Sequence, residues 1–170
     1  MRDSAKTGQR WFYIKNKSLV SLIVKTYADS DKKKILDAAQ KPRIIIDIID
    51  KCDLPQTSTY RKINSLIHNG LLVSAGNVVM KYGKIVTKYV SLFENVEINV
   101  IKKDISIRAK ICKDAHHALL GMIRTKIIGL SKNLKSSSAR ISSERMYKNM
   151  KGEGSESLIP YLIKEHVIQL

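Results

Sequence analysis

Residues 53–72 read DLPQTSTYRKINSLIHNGLL, a segment that carries its own start, buried face and stop. Pro55 suits the first turn of a helix, where its missing N–H costs nothing and its fixed φ is already helical. Thr59, Ile63, Leu66 and Ile67 follow at i, i+4, i+7 and i+8 and form one apolar stripe. Gln56, Ser58, Tyr60, Arg61 and Asn64 project elsewhere. Asn69-Gly70 ends the segment, with Gly70 free to take positive φ. The spacing predicts a helix over about 55–69 with a polar outer face.

Upstream, Leu19, Leu22, Ile23 and Tyr27 recur at helical spacing and predict a short first helix. Ser30 is the expected N-cap of a second helix, whose buried face is Ile35, Leu36 and Ala39 and which Pro42 stops. Residues 44–49 are an apolar run interrupted by Asp47, read as a short strand and then a helix ending near Cys52. Downstream the period changes from 3.6 to 2. Residues 71–74 and 85–92 read as strands, with turn chemistry at Gly76-Asn77 and at Tyr82-Gly83-Lys84. Helices thus lead into a hairpin with a basic tip.

Beyond it, Ile98, Val100, Ile105, Ile107, Ala109 and Ile111 alternate around Lys102-Lys103-Asp104 and predict a second hairpin over 96–111. Ala115, Leu119, Met122, Ile123, Ile127 and Leu130 permit an amphipathic helix over 113–132, weakened by Gly121 and Gly129. Residues 133–170 begin with a Ser-, Lys- and Gly-rich run and are expected to be mostly disordered. Residues 1–17 read as a flexible basic arm in which Trp11, Phe12 and Tyr13 either pack on the domain or stack on a ligand.

The 170 residues hold 31 Lys and Arg against 15 Asp and Glu, a net charge of +16 at pH 7. Self-repulsion of that size disfavours a compact state and points to a polyanionic partner, nucleic acid before an anionic membrane surface. From Gln56 to Leu92 there is no carboxylate, while Arg61, Lys62, Lys81, Lys84 and Lys88 are positive. The preceding segment, 29–54, is balanced. No window reaches 18 apolar residues, so no span is expected, and no signal peptide is legible. Two cysteines, Cys52 and Cys112, make neither a disulfide framework nor a metal clip and suit a reducing, cytoplasmic compartment.

Three motifs carry a family resemblance: ADSDKKKIL at 28–36, DLPQTSTYRKINSLIHNGLL at 53–72, and TKYVSLF at 87–93. Together they resemble the arsenic-repressor type of winged-helix regulator, closest to small archaeal members. The likeness covers less than half of the chain, and its middle motif is the more specific one. It implies an α+β, mostly helical chain: a winged helix-turn-helix, with a three-helix core and β-wing, followed by an extra β-hairpin and a basic C-terminal extension. The corresponding organisation is a basic arm at 1–17, a DNA-binding domain at 18–95, a hairpin at 96–112, a helix at 113–132 and a tail at 133–170. The resemblance also implies a homodimer on a pseudo-palindromic operator in double-stranded DNA, and 19–27 and 113–130 are the surfaces available for pairing. Two positions depart from the family pattern. Ile46 stands where Ser or Thr commonly caps a helix, and Asp53 replaces the usual turn glycine.

Under that reading Gln56, Thr57, Ser58, Tyr60 and Arg61 face the major groove, and Lys62 and Asn64 of the same helix are further DNA-binding residues. Lys81, Tyr82 and Lys84 form a wing, at about 75–86, on the backbone or minor groove. The chemistry suits the places: Arg takes two acceptors on guanine, Gln pairs bidentately with adenine, and hydroxyls suit phosphate oxygens. Tyr60 has an alternative role as packing on the helix surface, and Lys62 and Lys88 as solvated cations. Thr59 belongs to the core.

No metal site, cofactor site or small-molecule effector site is legible. The resemblance places Cys52 where the family's second helix normally buries a leucine, which implies a core thiol rather than a ligand. Asp114, His116 and His117 are the sole cluster with ligand chemistry, and adjacent histidines point about 100° apart on a helix. No phosphate loop, nucleophile elbow or paired carboxylates mark an enzyme. The function expected is a sequence-specific transcriptional regulator. The alternative is an architectural or general nucleic-acid binder, and a third possibility is a protein-interaction module on the same scaffold.

Overall fold

The computed structural model describes residues 11–122. The expectations for 1–10, for the remainder of the 113–132 helix and for the 133–170 tail lie outside the described residues. Strand β1 (Trp11–Ile14) is followed by helices α1 (Lys17–Ala28) and α2 (Ser30–Ala38), the two-residue strand β2 (Arg43–Ile44), and helices α3 (Ile45–Cys52) and α4 (Gln56–His68). Then come β3 (Leu72–Val79), a 3-10 turn (Lys81–Gly83), β4 (Ile85–Ser91), β5 (Phe93–Ile101) and β6 (Asp104–Ile111). Residues 113–122 form a fifth helix, α5.

The helices begin and end for local reasons. Asn16 caps α1 by accepting from the Leu19 N–H at 3.2 Å. Asp29, not Ser30, caps α2: its Oδ1 accepts from the amides of Asp31 at 3.0 Å and Lys32 at 3.1 Å. Ile45, Ile48, Ile49 and Cys52 put the inner face of α3 against the core. Asp53 then turns the chain in the left-handed region, φ 50°, a conformation Asp bears better than most residues. At the end of α4 the Leu71 N–H reaches the Leu66 carbonyl at 2.9 Å and the Gly70 N–H reaches Ile67 at 3.0 Å. That double closure requires the left-handed residue supplied by Gly70, φ 75°.

The strands form two antiparallel three-stranded sheets, ordered β2-β4-β3 and β1-β6-β5. A single buried cluster joins both sheets and all five helices, running from Ile14 and Leu19 through Ile48, Ile63, Leu66, Leu92 and Phe93 to Ile107, Ala115 and Leu119. Leu92 is the hinge between the sheets. Its N–H donates to Leu71 at 2.8 Å beside the first sheet, and its carbonyl accepts from Cys112 at 2.9 Å beside the second.

This architecture corrects the expected winged helix-turn-helix with a three-helix core, an appended hairpin and a basic extension. Five helices and two three-stranded sheets share the described residues, and the second sheet is built into the core. The expected arm is corrected with it. Residues 11–14 pair with β6 in the register Trp11↔Lys110 to Ile14↔Ile107. Ile14 is buried, and the Phe12 ring packs 6.2 Å from that of Phe93. Strand pairing across nearly a hundred residues leaves no local signal, which is why residues 11–14 read as part of a flexible arm; of the two roles open to the aromatic cluster, packing on the domain is the one Phe12 takes.

The β3–β4 hairpin also differs. Gly76-Asn77 does not turn the chain but lies in a bulge within β3, between Ser74 and Asn77, where Gly76 takes φ 102°. Only Lys81–Gly83 reverses direction, so the hairpin is longer than its sequence suggests. Leu19 and Ile23, expected on a pairing surface, are 3% and 0% exposed because the chain's own core uses them.

Candidate nucleic-acid interface

Helix α4 divides into two faces. Thr59, Ile63 and Leu66 are fully buried, and the Thr59 hydroxyl donates to the Pro55 carbonyl at 2.9 Å. Opposite them Gln56, Thr57, Ser58, Tyr60, Arg61 and Asn64 are all exposed. Thr57, Arg61 and Asn64 follow at i, i+4 and i+7 and so line one ridge, with His68 continuing it four residues on. His68 was missed in the sequence reading, though its spacing from Asn64 is a sufficient signal. Ser58 donates its hydroxyl to Pro55 at 2.9 Å, leaving its lone pairs outward. No side chain caps the start of α4, so the amides of its first turn have no side-chain acceptor, and the helix dipole there favours anions.

Lys62 stands apart from this ridge. Its Nζ lies 2.8 Å from Asp29 Oδ1 and 2.9 Å from Asp31 Oδ2, in a clasp between α4 and the α1–α2 junction. The hydrogen bond from Lys62 holds the Asp29 carboxyl below its ordinary range, and the same contact raises the Lys62 ammonium. A cation so engaged tethers the helix, whereas Arg61 stays exposed on the ridge.

The hairpin brings a second surface. Lys81, Tyr82 and Lys84 are exposed at its tip, and Tyr82 is held at φ 65° with its ring entirely in solvent. Val79, Met80 and Ile85 are exposed beside them, an apolar contribution that the count of lysines did not reveal. Lys88 is half-buried on β4, opposite Ile44. Arg43 is committed to structure, its Nε donating to the Ala38 carbonyl at 3.1 Å. Neither α4 nor the β3–β4 hairpin carries a carboxylate of its own, since none occurs between Gln56 and Leu92.

The residues weighed for other chemistry have structural places. Cys52 and Cys112 are free and buried, and burial pushes the Cys52 thiol up, away from reactivity. His116 and His117 stand with ring centroids 6.2 Å apart. Burial, then the neighbouring His117, lowers the His116 pKa. Among the described residues no three His, Cys, Asp or Glu side chains are grouped to hold a metal ion. No helix among them is long and apolar enough to cross a membrane.

Compared with known proteins, the chain matches no family model, no curated protein and no solved structure. The candidate interface therefore rests on its own geometry and charge.

Proposed function

We propose that this protein is a sequence-specific double-stranded DNA-binding transcriptional regulator. In this reading α4 enters the major groove and the β3–β4 hairpin follows the backbone or minor groove, in a cytoplasmic setting. The carrying observation is the exposed, carboxylate-free ridge of Gln56, Thr57, Tyr60, Arg61 and Asn64 on a helix whose other face is locked into the core. A rigid helix that presents hydrogen-bonding side chains is what base-edge reading requires. Arg61 is the residue assigned to a guanine, through its paired donors. Gln56 suits adenine, and Thr57, Ser58 and the first-turn amides suit phosphate oxygens.

A second reading draws on the hairpin tip. Lys81 and Lys84 beside exposed Val79, Met80, Tyr82 and Ile85 suit backbone charge with apolar contact between base steps, a mode of general or architectural binding. One experiment separates the two: selection from a random duplex library in moderate salt with excess competitor DNA, for the wild type and Arg61→Ala in parallel. A recovered motif that weakens with Arg61→Ala supports base reading. Tight binding with no motif, unchanged by Arg61→Ala, transfers the function to the general mode.

A further inference from the structure

The second sheet ends in an unprotected edge. Its order β1-β6-β5 leaves β5 paired on one side only among the described residues. Natural edge strands are blunted by Lys, Pro, bulges or shortness. The other long edge, β3, carries such a device in its Gly76 bulge. β5 carries none beyond Asn95, and pairs with β6 in unbroken register from Asn95↔Lys110 to Ile101↔Asp104. In a chain with 31 Lys and Arg, β5 has neither. Its two charges, Glu97 and Glu94, are matched by Arg108 and Lys110 of β6, so the edge is neutral.

Its apolar face is also uncovered among the described residues. Ile98, Val100 and Ile105 occupy the core side of the sheet, since Ile98 opposes buried Ile107 and Val100 opposes Ile105. Yet they are 37%, 66% and 45% exposed. The two-residue turn at Lys102-Lys103 is closed by the Ile101–Asp104 pair. By antiparallel alternation, the backbone groups of Glu97, Asn99 and Ile101 face β6, and those of Val96, Ile98 and Val100 face the open edge.

We propose that this edge pairs with β5 of a second copy, antiparallel about a twofold axis at Ile98, to make one six-stranded sheet. The strand is complementary to itself in that register. Ile98 meets its own mate and Val96 meets Val100, which continues the apolar face across the axis. Glu97 meets Asn99, so no carboxylate opposes another. A twofold contact is the usual way that one surface patch satisfies itself. It also joins two strongly positive bodies where each is locally neutral.

The test uses the full chain, by sedimentation velocity and by oxidative cross-linking. The wild type is expected to sediment as a dimer and Val100→Lys as a monomer with unchanged far-UV circular dichroism, because Val100 makes little contact within its own copy. Ile98→Cys is expected to form a covalent dimer on mild oxidation, since directly opposed Cα atoms lie about 5.5 Å apart, within disulfide range. Ile105→Cys, one strand removed from the axis, is expected not to cross-link. The native cysteines are buried and contribute little background. A monomeric wild type overturns the proposal, including the case in which Val100→Lys lowers the melting temperature because the chain's own residues cover the edge. So does a dimer that Val100→Lys leaves intact, or one that Ile105→Cys traps as readily as Ile98→Cys.

Discussion

Arg61 and Lys62 are adjacent in sequence and serve different ends, because a helix turns each residue about 100° from the last. Arg61 is exposed on the ridge, whereas Lys62 reaches Asp29 and Asp31. Substituting each by Ala therefore separates binding from stability. Arg61→Ala is expected to leave the denaturation midpoint unchanged and to cost roughly 1–3 kcal/mol of binding to the preferred site. Lys62→Ala is expected to keep sequence preference and to cost at most about 1 kcal/mol of folding stability, since both partners of the clasp are partly in water. The clasp also has a pH signature. Asp29 is held below its ordinary pKa chiefly by Lys62, so its contribution is complete above the unfolded value of about 3.9. It is lost as the pH falls through the lower folded value. Urea titrations across the acid range check this: the wild type should lose more stability on acidification than Lys62→Ala. Equal losses would show that the clasp does not set Asp29.

At the scale of elements, what is written locally in the sequence is what could be read from it. The buried stripe of α4 and its stop at Gly70 are contained within twenty residues, and sequence and structure agree on them. Gly70 holds φ 75° within a buried turn, so Gly70→Ala is expected to cost about 1–2 kcal/mol from the left-handed backbone alone. Denaturant unfolding measures it, and a neutral substitution would mean that the turn relaxes. The hairpin was legible in outline only. Gly76-Asn77 has turn chemistry, but the bulge uses it within β3, and composition does not distinguish the two. The exposed apolar tip was equally hidden, because Val79, Met80 and Ile85 look like strand residues until the hairpin projects beyond the core. If Lys81 and Lys84 contact phosphates, replacing both by Ala reduces the slope of log K against log salt by about 2 and weakens all duplexes alike. A slope that stays put while one sequence is lost would instead make the tip a base reader.

The candidate interface and the open edge belong to different sheets, and the whole molecule depends on how those sheets are coupled. That coupling was not legible, because it is made by contacts distant in the chain. β1 pairs with β6, and Ala39 accepts from the Ser91 N–H at 2.8 Å while Leu92 links Leu71 to Cys112. Leu92 is fully buried at the single step between β4 and β5, where its side chain fills a core that both sheets share. Leu92→Ala is therefore expected to cost about 2–5 kcal/mol, the range for a large-to-small change at a buried site. The distinctive expectation is cooperativity. The chain's one tryptophan, Trp11, lies in β1 under the Arg108 guanidinium, 5.1 Å from its ring centroid, so its fluorescence reports the second sheet. Far-UV circular dichroism is dominated by the helices packed around both. In the wild type the two probes should give coincident thermal transitions, and in Leu92→Ala both should move down together. A Trp11 transition that separates from the helical one would mean that the second sheet melts alone. The orientation of α4 would then owe little to the strands after β4, and an edge contact through β5 would have no rigid path to α4.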